Sequence, residues 1–133
     1  MIDTSYIVAL VNARDENHER ANELVNIYDS APLLVTDAVL LEIGNSLARN
    51  HKPRAIDIFD EFLSADDVEI VRLDESLFDR SLKLYRTHAD KQWGMVDCVS
   101  FVVMKDRGII DALTSDRHFV QAGFRALMLD AVN

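Results

Sequence analysis

Residues 39–47 read Val39-Leu40-Leu41-Glu42-Ile43-Gly44-Asn45-Ser46-Leu47, and this stretch predicts an amphipathic helix. Leu40, Ile43 and Leu47 recur at the spacing of one buried helical stripe. Glu42 lies on a neighbouring stripe, and a carboxylate among apolar residues costs free energy when it is desolvated without a partner. Its side chain therefore either points to water or faces other groups that the fold brings to it.

Three other acids occur at the edge of an apolar element. Asp3 lies at the head of an apolar run, Asp97 opens the most apolar segment of the chain, and Asp116 follows a predicted strand over 109–114. Ligands of open parallel sheets bind outside the carboxyl ends of the strands, where Asp3 and Asp116 are predicted to lie. Asp97 falls at a helix N-terminus, which can lie at the same edge of the sheet if the preceding loop crosses back over it. The pattern predicts side chains held at the rim of a core and aimed at one place.

The order of predicted elements indicates an α/β protein. Predicted strands occupy residues 1–3, 33–36, 68–73, 109–114 and 126–129, and predicted helices occupy 5–11, 15–28, a segment from about 37 onward, 54–63, 74–88 and a segment that Gly108 ends. In the helix over 54–63 the apolar positions are Ile56, Phe59 and Leu63, and in the helix over 74–88 Leu77, Leu84 and Tyr85 are predicted to face inward. Short apolar strands that alternate with helices favour a three-layer α/β/α sandwich around a central, mostly parallel sheet of four to five strands.

The composition predicts one globular domain over residues 1–133. The hydrophobic fraction is 49% and the charged fraction 28%, as in soluble proteins. No segment approaches the roughly 20 apolar residues of a membrane span, and the N-terminus lacks a secretory signal pattern. The single cysteine, Cys98, excludes an internal disulfide framework and fits a reducing cytosol. These features predict a cytoplasmic protein without a membrane partner.

The net charge of −9 argues mildly against a nucleic-acid partner, because general nucleic-acid binders are basic. Contact with a nucleic acid would depend on metal ions and on local basic patches. The sequence contains two such patches. The first consists of Arg49, Lys52 and Arg54, and the second consists of Arg80, Lys83 and Arg86. The first is the predicted nucleic-acid contact because it continues from the Glu42 helix, whereas a solvated helix face explains the second equally well.

Acidic side chains that meet in one place call for a cation, because each carboxylate raises the pKa of the others. Oxygen ligands of this kind suit Mg²⁺ or Mn²⁺. Two such ions about 4 Å apart would activate a water and stabilise the leaving oxygen of a phosphodiester. Taken singly, Asp97 is also explained as a helix cap and Asp116 as a turn residue.

Four short motifs follow one another in a recognisable order. They are Asp3-Thr4-Ser5, Thr36 leading to Glu42, Asp97 with Ser100-Phe101, and Thr114-x-Asp116 with His118-Phe119. Together they resemble the PIN-domain family, and in particular its compact VapC-type toxins from toxin–antitoxin pairs. The resemblance implies a ribonuclease that depends on Mg²⁺ or Mn²⁺.

The resemblance also implies roles for particular residues. Asp3, Glu42 and Asp97 would be the core catalytic and metal-binding acids, with Asp116 as the fourth. Thr4 or Ser5, together with Thr114, would orient the carboxylates and waters. The implied partners are an RNA substrate, a second copy of the chain in a homodimer, and a small antitoxin. The tail of the antitoxin would place an Arg or Lys near Glu42 and Asp97. The helices that follow Asp15 and Arg54 would supply an apolar groove for this tail.

Other functions make different demands on the sequence. A magnesium-dependent phosphatase of the haloacid-dehalogenase kind would need an acid two residues after Asp3, where the chain has Ser5. A catalytically idle PIN-like module that binds RNA or protein would be expected to lack one of the four acids. His118 is interpreted as structural, and Cys98 as a small buried hydrophobic residue.

Overall fold

The structure, a computed structural model, describes residues 1–130, so the last three residues of the predicted domain lie outside the described part. The helices are α1 (Thr4–Val11), α2 (His18–Ile27), α3 (Asp37–Leu47), α4 (Lys52–Ser64), α5 (Glu75–Thr87), α6 (Met95–Arg107) and α7 (Arg117–Gln121). The strands are β1 (Leu33–Thr36), β2 (Val68–Val71), β3 (Asp111–Ala112) and β4 (Arg125–Ala126), and a 3-10 helix covers Leu127–Leu129. Among residues 1–130, no helix has the length and apolar character that crossing a membrane requires.

The strands form two short parallel pairs that the first residues of the chain connect. β1 pairs with β2, and β3 pairs with β4. The Ile2 N–H donates to the Leu34 carbonyl at 2.8 Å, while the Asp3 N–H donates to the Leu113 carbonyl at 3.1 Å. Residues 1–3 are thereby hydrogen-bonded to both pairs, and Asp3 lies at the junction between them.

Hydrophobic packing forms two neighbouring clusters. One is centred on Ile2, Leu24 and Ile43, which are at most 1% exposed. The other is centred on α6 and includes Met104 and Phe119, both fully buried. The acids at the starts of α1, α6 and α7 are therefore carried by elements that the core fixes in place.

Cys98 is fully buried in the second cluster. Burial raises the pKa of its thiol to about 11, so the sulfur stays protonated and unreactive at neutral pH. The interpretation of Cys98 as a small buried hydrophobic residue agrees with this environment.

Three predicted strands are shorter in the structure. Residues 1–3 form a single bridge at Ile2, β2 ends at Val71 where 68–73 was expected, and β3 covers only Asp111–Ala112 of the expected 109–114.

Three further element boundaries differ from the predicted ones for local reasons. The helix predicted over 15–28 begins at His18, because Asp15 accepts a hydrogen bond from the Asn17 N–H at 2.8 Å and forms a turn. α4 begins at Lys52, with Pro53 in its first turn. The strand predicted over 126–129 ends at Ala126, and the chain continues as the 3-10 helix.

Some helix faces are also assigned differently by the structure. Tyr85 was predicted to face inward, but it is 45% exposed, because Leu77 and Ser81 occupy the buried stripe of α5. Of the three apolar positions expected in α4, only Phe59 packs on the core, while Ile56 and Leu63 are exposed. Gly44 has no side chain, and the Phe59 ring packs against it. A Cβ atom at position 44 would lie only 3.3 Å from that ring.

Candidate functional site

Four acids from distant parts of the chain line one open cavity of about 460 Å³. Asp3 caps the N-terminus of α1, Glu42 lies in the middle of α3, Asp97 lies in the first turn of α6, and Asp116 caps α7. These are the four acids that the sequence singles out. The structure brings them together at the end of the molecule where residues 1–3 pass between the strand pairs.

Asp3 is the most enclosed of these acids, with 5% of its surface exposed. Its Oδ2 accepts hydrogen bonds from Thr114 Oγ1 at 2.7 Å and from Ser5 Oγ at 2.8 Å. The same hydroxyls accept from backbone N–H groups, Thr114 from Asp116 and Ser5 from Ser115, at 3.0 and 3.1 Å. The two hydroxyls hold the Asp3 carboxylate in one orientation and tie it to the turn before α7.

Asp97, Asp116 and His118 form a tighter group within the cavity. One potential ligand atom from each of them can be chosen so that all three lie within 4.8 Å of one another. His118 Nδ1 lies 3.1 Å from Asp97 Oδ2 and 3.3 Å from Asp116 Oδ1. The Gly94 N–H also donates to Asp97 Oδ2, at 3.2 Å. Two carboxylate groups and an imidazole at this separation can hold a divalent cation.

The pKa values of two acids reflect their enclosure. Burial is the largest cause that raises the pKa of Asp3, and the hydrogen bonds from Thr114 and Ser5 oppose it. Burial also raises the pKa of Asp97, the neighbouring Asp116 carboxylate adds to the increase, and the Gly94 N–H opposes it. Both carboxylates are therefore costly to ionise in the folded chain unless a positive charge is nearby.

These raised pKa values predict that Asp97→Asn stabilises the metal-free protein at neutral pH. An acid whose pKa is higher in the folded chain stabilises the fold below its unfolded pKa of about 4, and this contribution is lost as pH rises through the folded value. At pH 7 the wild type carries the cost of the ionised group, and the variant does not. In the presence of a chelator, the Tm of Asp97→Asn should exceed that of the wild type at pH 7, and the gain should shrink towards pH 4.

The matched control is Asp106→Asn. Asp106 is exposed, and its bidentate hydrogen bonds with Arg80 lower the pKa of its carboxyl group. This variant should give no gain at pH 7. A lower Tm for Asp97→Asn than for the wild type across the whole pH range would contradict the prediction, because it would show that the ionised Asp97 carboxylate does not destabilise the metal-free fold.

The other predicted site residues lie in three different places. Thr4 and Ser5 line the cavity, and Thr114 lies behind Asp3. Arg49 and Lys52 are exposed and do not line it. Arg54 lines a separate groove. Contact between RNA and these three cations stays a prediction.

The sequence indicates a structural role for His118, whereas the structure places this residue in the cavity. The signal was the spacing of Asp116 and His118, since an N-cap acid and the second residue of the following helix share one end of that helix. Asp15, Ser46 and Ser115 also line the cavity, and the sequence gave no distinctive signal for them.

The sequence matches the PIN domain family over residues 1–125. The chain belongs to the PIN-domain family. The resemblance that the four motifs carry is thereby confirmed, and with it a mixed α/β fold in which helices accompany short parallel strands.

Two curated relatives share 30% identity with this PIN-domain chain over 125 residues. Each is a 23S rRNA-specific endonuclease VapC20, one from Mycobacterium tuberculosis strain CDC 1551 / Oshkosh and one from strain ATCC 25618 / H37Rv. The match covers 92% of this chain and 93% of each relative.

A solved structure of Mycobacterium tuberculosis VapC20, described as a Sarcin-Ricin loop cleaving toxin, superposes on this fold with a TM-score of 0.83. The sequences of the two chains are 28% identical, and the superposition covers 93% of this chain and 95% of the other.

Proposed function

We propose that this chain is an endoribonuclease that hydrolyses RNA phosphodiester bonds with the help of Mg²⁺ or Mn²⁺, and that it is the toxin of a toxin–antitoxin pair. The observation that carries the proposal is the convergence of Asp3, Glu42, Asp97 and Asp116 on one cavity. The VapC20 relatives, which act on 23S rRNA, support ribosomal RNA as the substrate class.

The donor set of the cavity fits a hard divalent cation. Asp3 and Asp97 have raised pKa values that a bound cation would reverse, since opposite charge favours the ionised form. Thr4 lines the cavity, and within residues 1–130 its buried Oγ1 has no protein hydrogen-bond partner. A hydrated ion would supply both a positive charge and a polar partner. Asp3, Glu42 and Asp97 would hold the ion, with Asp116 assisting.

When bound, the cation supplies electrostatic stabilisation of a phosphodiester that gains negative charge and lowers the pKa of the attacking water. The residues of the chain have separate tasks. Ser5 and Thr114 keep the Asp3 carboxylate oriented towards the cavity. His118 Nδ1 lies between the Asp97 and Asp116 carboxylates, so its contacts fix the position of one relative to the other. Without these contacts, reactive groups would have to be ordered during each catalytic cycle.

The direct test is incubation of purified wild-type protein with ribosomal RNA, in the presence of Mn²⁺ or Mg²⁺ and, in parallel, of a chelator. Discrete cleavage products should form only with metal. Intact RNA at every metal concentration, with folded protein confirmed by its thermal melt, would contradict the proposed activity.

Divalent metal should also stabilise the fold, because a ligand that binds only the native state raises the free energy of unfolding. At 100 times its Kd, the ion should contribute about 2.7 kcal/mol. Melts of the wild type and Asp97→Asn over a Mn²⁺ titration measure this. The wild-type Tm should rise by several degrees, whereas the variant should respond much less. An unchanged wild-type Tm at millimolar Mn²⁺ would count against the metal site.

An antitoxin is the second proposed partner. A groove of about 280 Å³ lies between α1, α2 and α4, and apolar side chains such as Leu10, Val25 and Phe62 line it. An apolar tail segment could bind there and place an Arg or Lys near Glu42 and Asp97, in competition with metal. Co-expression with the coding neighbour of this chain, followed by pull-down, tests the partner. A homodimer is proposed on the same family grounds.

The finer architecture also remains a proposal. Residues 1–3 are hydrogen-bonded to both strand pairs, which supports one central, mostly parallel sheet within a three-layer α/β/α sandwich. We further propose that residues 1–133 form one domain and that the protein acts in the cytoplasm, where its proposed substrate is found.

A further inference from the structure

A further cavity, of about 580 Å³, lies between α5, α6 and the segment after α7. We name it the basic groove; its cations are Arg80, Lys83 and Lys105, and its rings include His88, Trp93 and Phe124. Among the described residues, none of those that line it is acidic. In a chain with a net charge of −9, this is a local reversal of the average field.

Two of the cations are available to a ligand. Lys83 and Lys105 are exposed, and neither forms a salt bridge with any residue in the range 1–130. Arg80 is already engaged, since its guanidinium makes a bidentate pair with Asp106 at 2.6 and 2.5 Å. An anionic ligand in the groove would therefore bind mainly to the two lysines.

The rings of the groove pack against other rings and are tied by a hydrogen bond. The partly exposed His88 stacks on the buried Trp93, with centroids 4.8 Å apart and ring planes 29° apart. Trp93 Nε1 donates to Gln121 Oε1 at 3.0 Å. Phe124, also partly exposed, lies 5.6 Å from the buried Phe101 ring. Partly exposed flat rings backed by buried rings offer preorganised surfaces on which a nucleic-acid base can stack.

The basic groove and the acidic cavity lie at different positions along α6. Asp97 lines the cavity, whereas Phe101 and Lys105 line the groove four and eight residues later. At a helical rise of 1.5 Å per residue, these positions lie about 6 and 12 Å beyond Asp97 along the helix axis. The α7 region repeats the arrangement, with His118 in the cavity and Ala122 in the groove. The cavity and the groove therefore both use residues of α6 and α7, and their α6 residues are separated by about one to two helical turns.

We propose that the basic groove binds a single-stranded segment of the RNA substrate that flanks the bond to be cleaved. Lys83 and Lys105 contact its phosphates, and a base packs against His88 or Phe124. The combination of free cations and flat rings favours RNA over an acidic peptide, which would use the cations but not the rings. This proposal rests on the proposed ribonuclease function, since it assigns a second contact surface to the same substrate.

The test compares Lys83→Ala/Lys105→Ala with the charge-matched control Arg14→Ala/Arg72→Ala, whose exposed cations line neither the acidic cavity nor the basic groove. Binding of a fluorescently labelled single-stranded RNA of about a dozen nucleotides is measured by anisotropy in a chelator, so that no cleavage is needed. Each phosphate contact contributes about 0.7 to the slope of log Kd against log salt. The groove variant should lose about 1.4 of that slope and bind about 25-fold more weakly at 0.1 M salt.

Cleavage with Mn²⁺ supplies the second readout. The groove variant should show a raised KM for the long RNA with kcat unchanged, and it should cleave a trinucleotide as the wild type does. The control should retain wild-type Kd and slope. An unchanged Kd and slope for the groove variant, or an equal loss in the control, would overturn the proposal. Unchanged RNA binding with lost antitoxin copurification would also overturn it and assign the groove to a protein.

Equal Tm values for the variants and the wild type establish that differences in binding do not come from unfolding. Failure of the proposed ribonuclease function gives a different result. In that case wild-type protein leaves RNA intact with metal, while the anisotropy measurement still reports whether the basic groove binds RNA.

Discussion

Asp97→Asn should lower kcat for metal-dependent RNA cleavage by about 10³-fold, because a lost ligand for the cation removes roughly 4 kcal/mol of transition-state stabilisation. The change keeps the shape of the side chain and its ability to accept the hydrogen bond from the Gly94 N–H. Single-turnover cleavage of labelled RNA at saturating Mn²⁺ measures the effect. The same variant is expected to be more stable than the wild type without metal, so the site trades stability for activity.

The other acids provide the comparison. Asp3→Asn and Glu42→Gln should cost about as much as Asp97→Asn, and pairs of these changes should cost little more than one, because the acids act as a unit. Asp116→Asn should be milder, since Asp116 is the proposed assisting ligand. Full metal-dependent activity in Asp97→Asn would refute the mechanism.

Phe119→Ala should destabilise the fold by about 3–5 kcal/mol, the usual cost of truncating a buried aromatic side chain. Phe119 is fully buried, and its ring packs edge-on against Phe101 with centroids 4.9 Å apart. Urea denaturation with an unchanged m-value measures the loss. Because Phe119 anchors α7, the variant should also bind Mn²⁺ more weakly under conditions where it is still folded.

Phe78→Ala is the matched control for this prediction. Phe78 lies on α5 and is 45% exposed, so its truncation should cost less than about 1 kcal/mol. Similar decreases in the free energy of unfolding for Phe119→Ala and Phe78→Ala would contradict the prediction that burial of Phe119 makes a large contribution to stability.

The sequence predicted the elements that local rules determine. Thr36 accepts the Val39 N–H and starts α3 where predicted, and Gly108, at φ 65°, ends α6. In α5, by contrast, Leu77 and Tyr85 both have apolar side chains, and periodicity does not decide which of them the neighbouring helix covers. Only the packing of α5 against α6 leaves Tyr85 exposed.

The candidate site was predictable in its acids and less so in its geometry. Each of the four acids lies beside an apolar element, and this arrangement is visible in the sequence alone. His118 gave a weaker signal, because its position beside Asp97 depends on how α7 is set against α6. The basic groove could not be predicted from the sequence either, because Lys83 and Lys105 are 22 residues apart and come together only when α5 packs against α6.

The hydrogen bond from Thr114 to Asp3 joins residues 111 positions apart. During synthesis, Asp3 emerges from the ribosome first, and its carboxylate acquires this partner only after residue 114 has also emerged. Assembly of the site therefore depends on a contact of long sequence separation, the kind of contact that is associated with slow folding. The order of translation therefore delays assembly of the acidic cavity until nearly the whole chain is made, so the proposed nuclease activity would begin only after synthesis is almost complete.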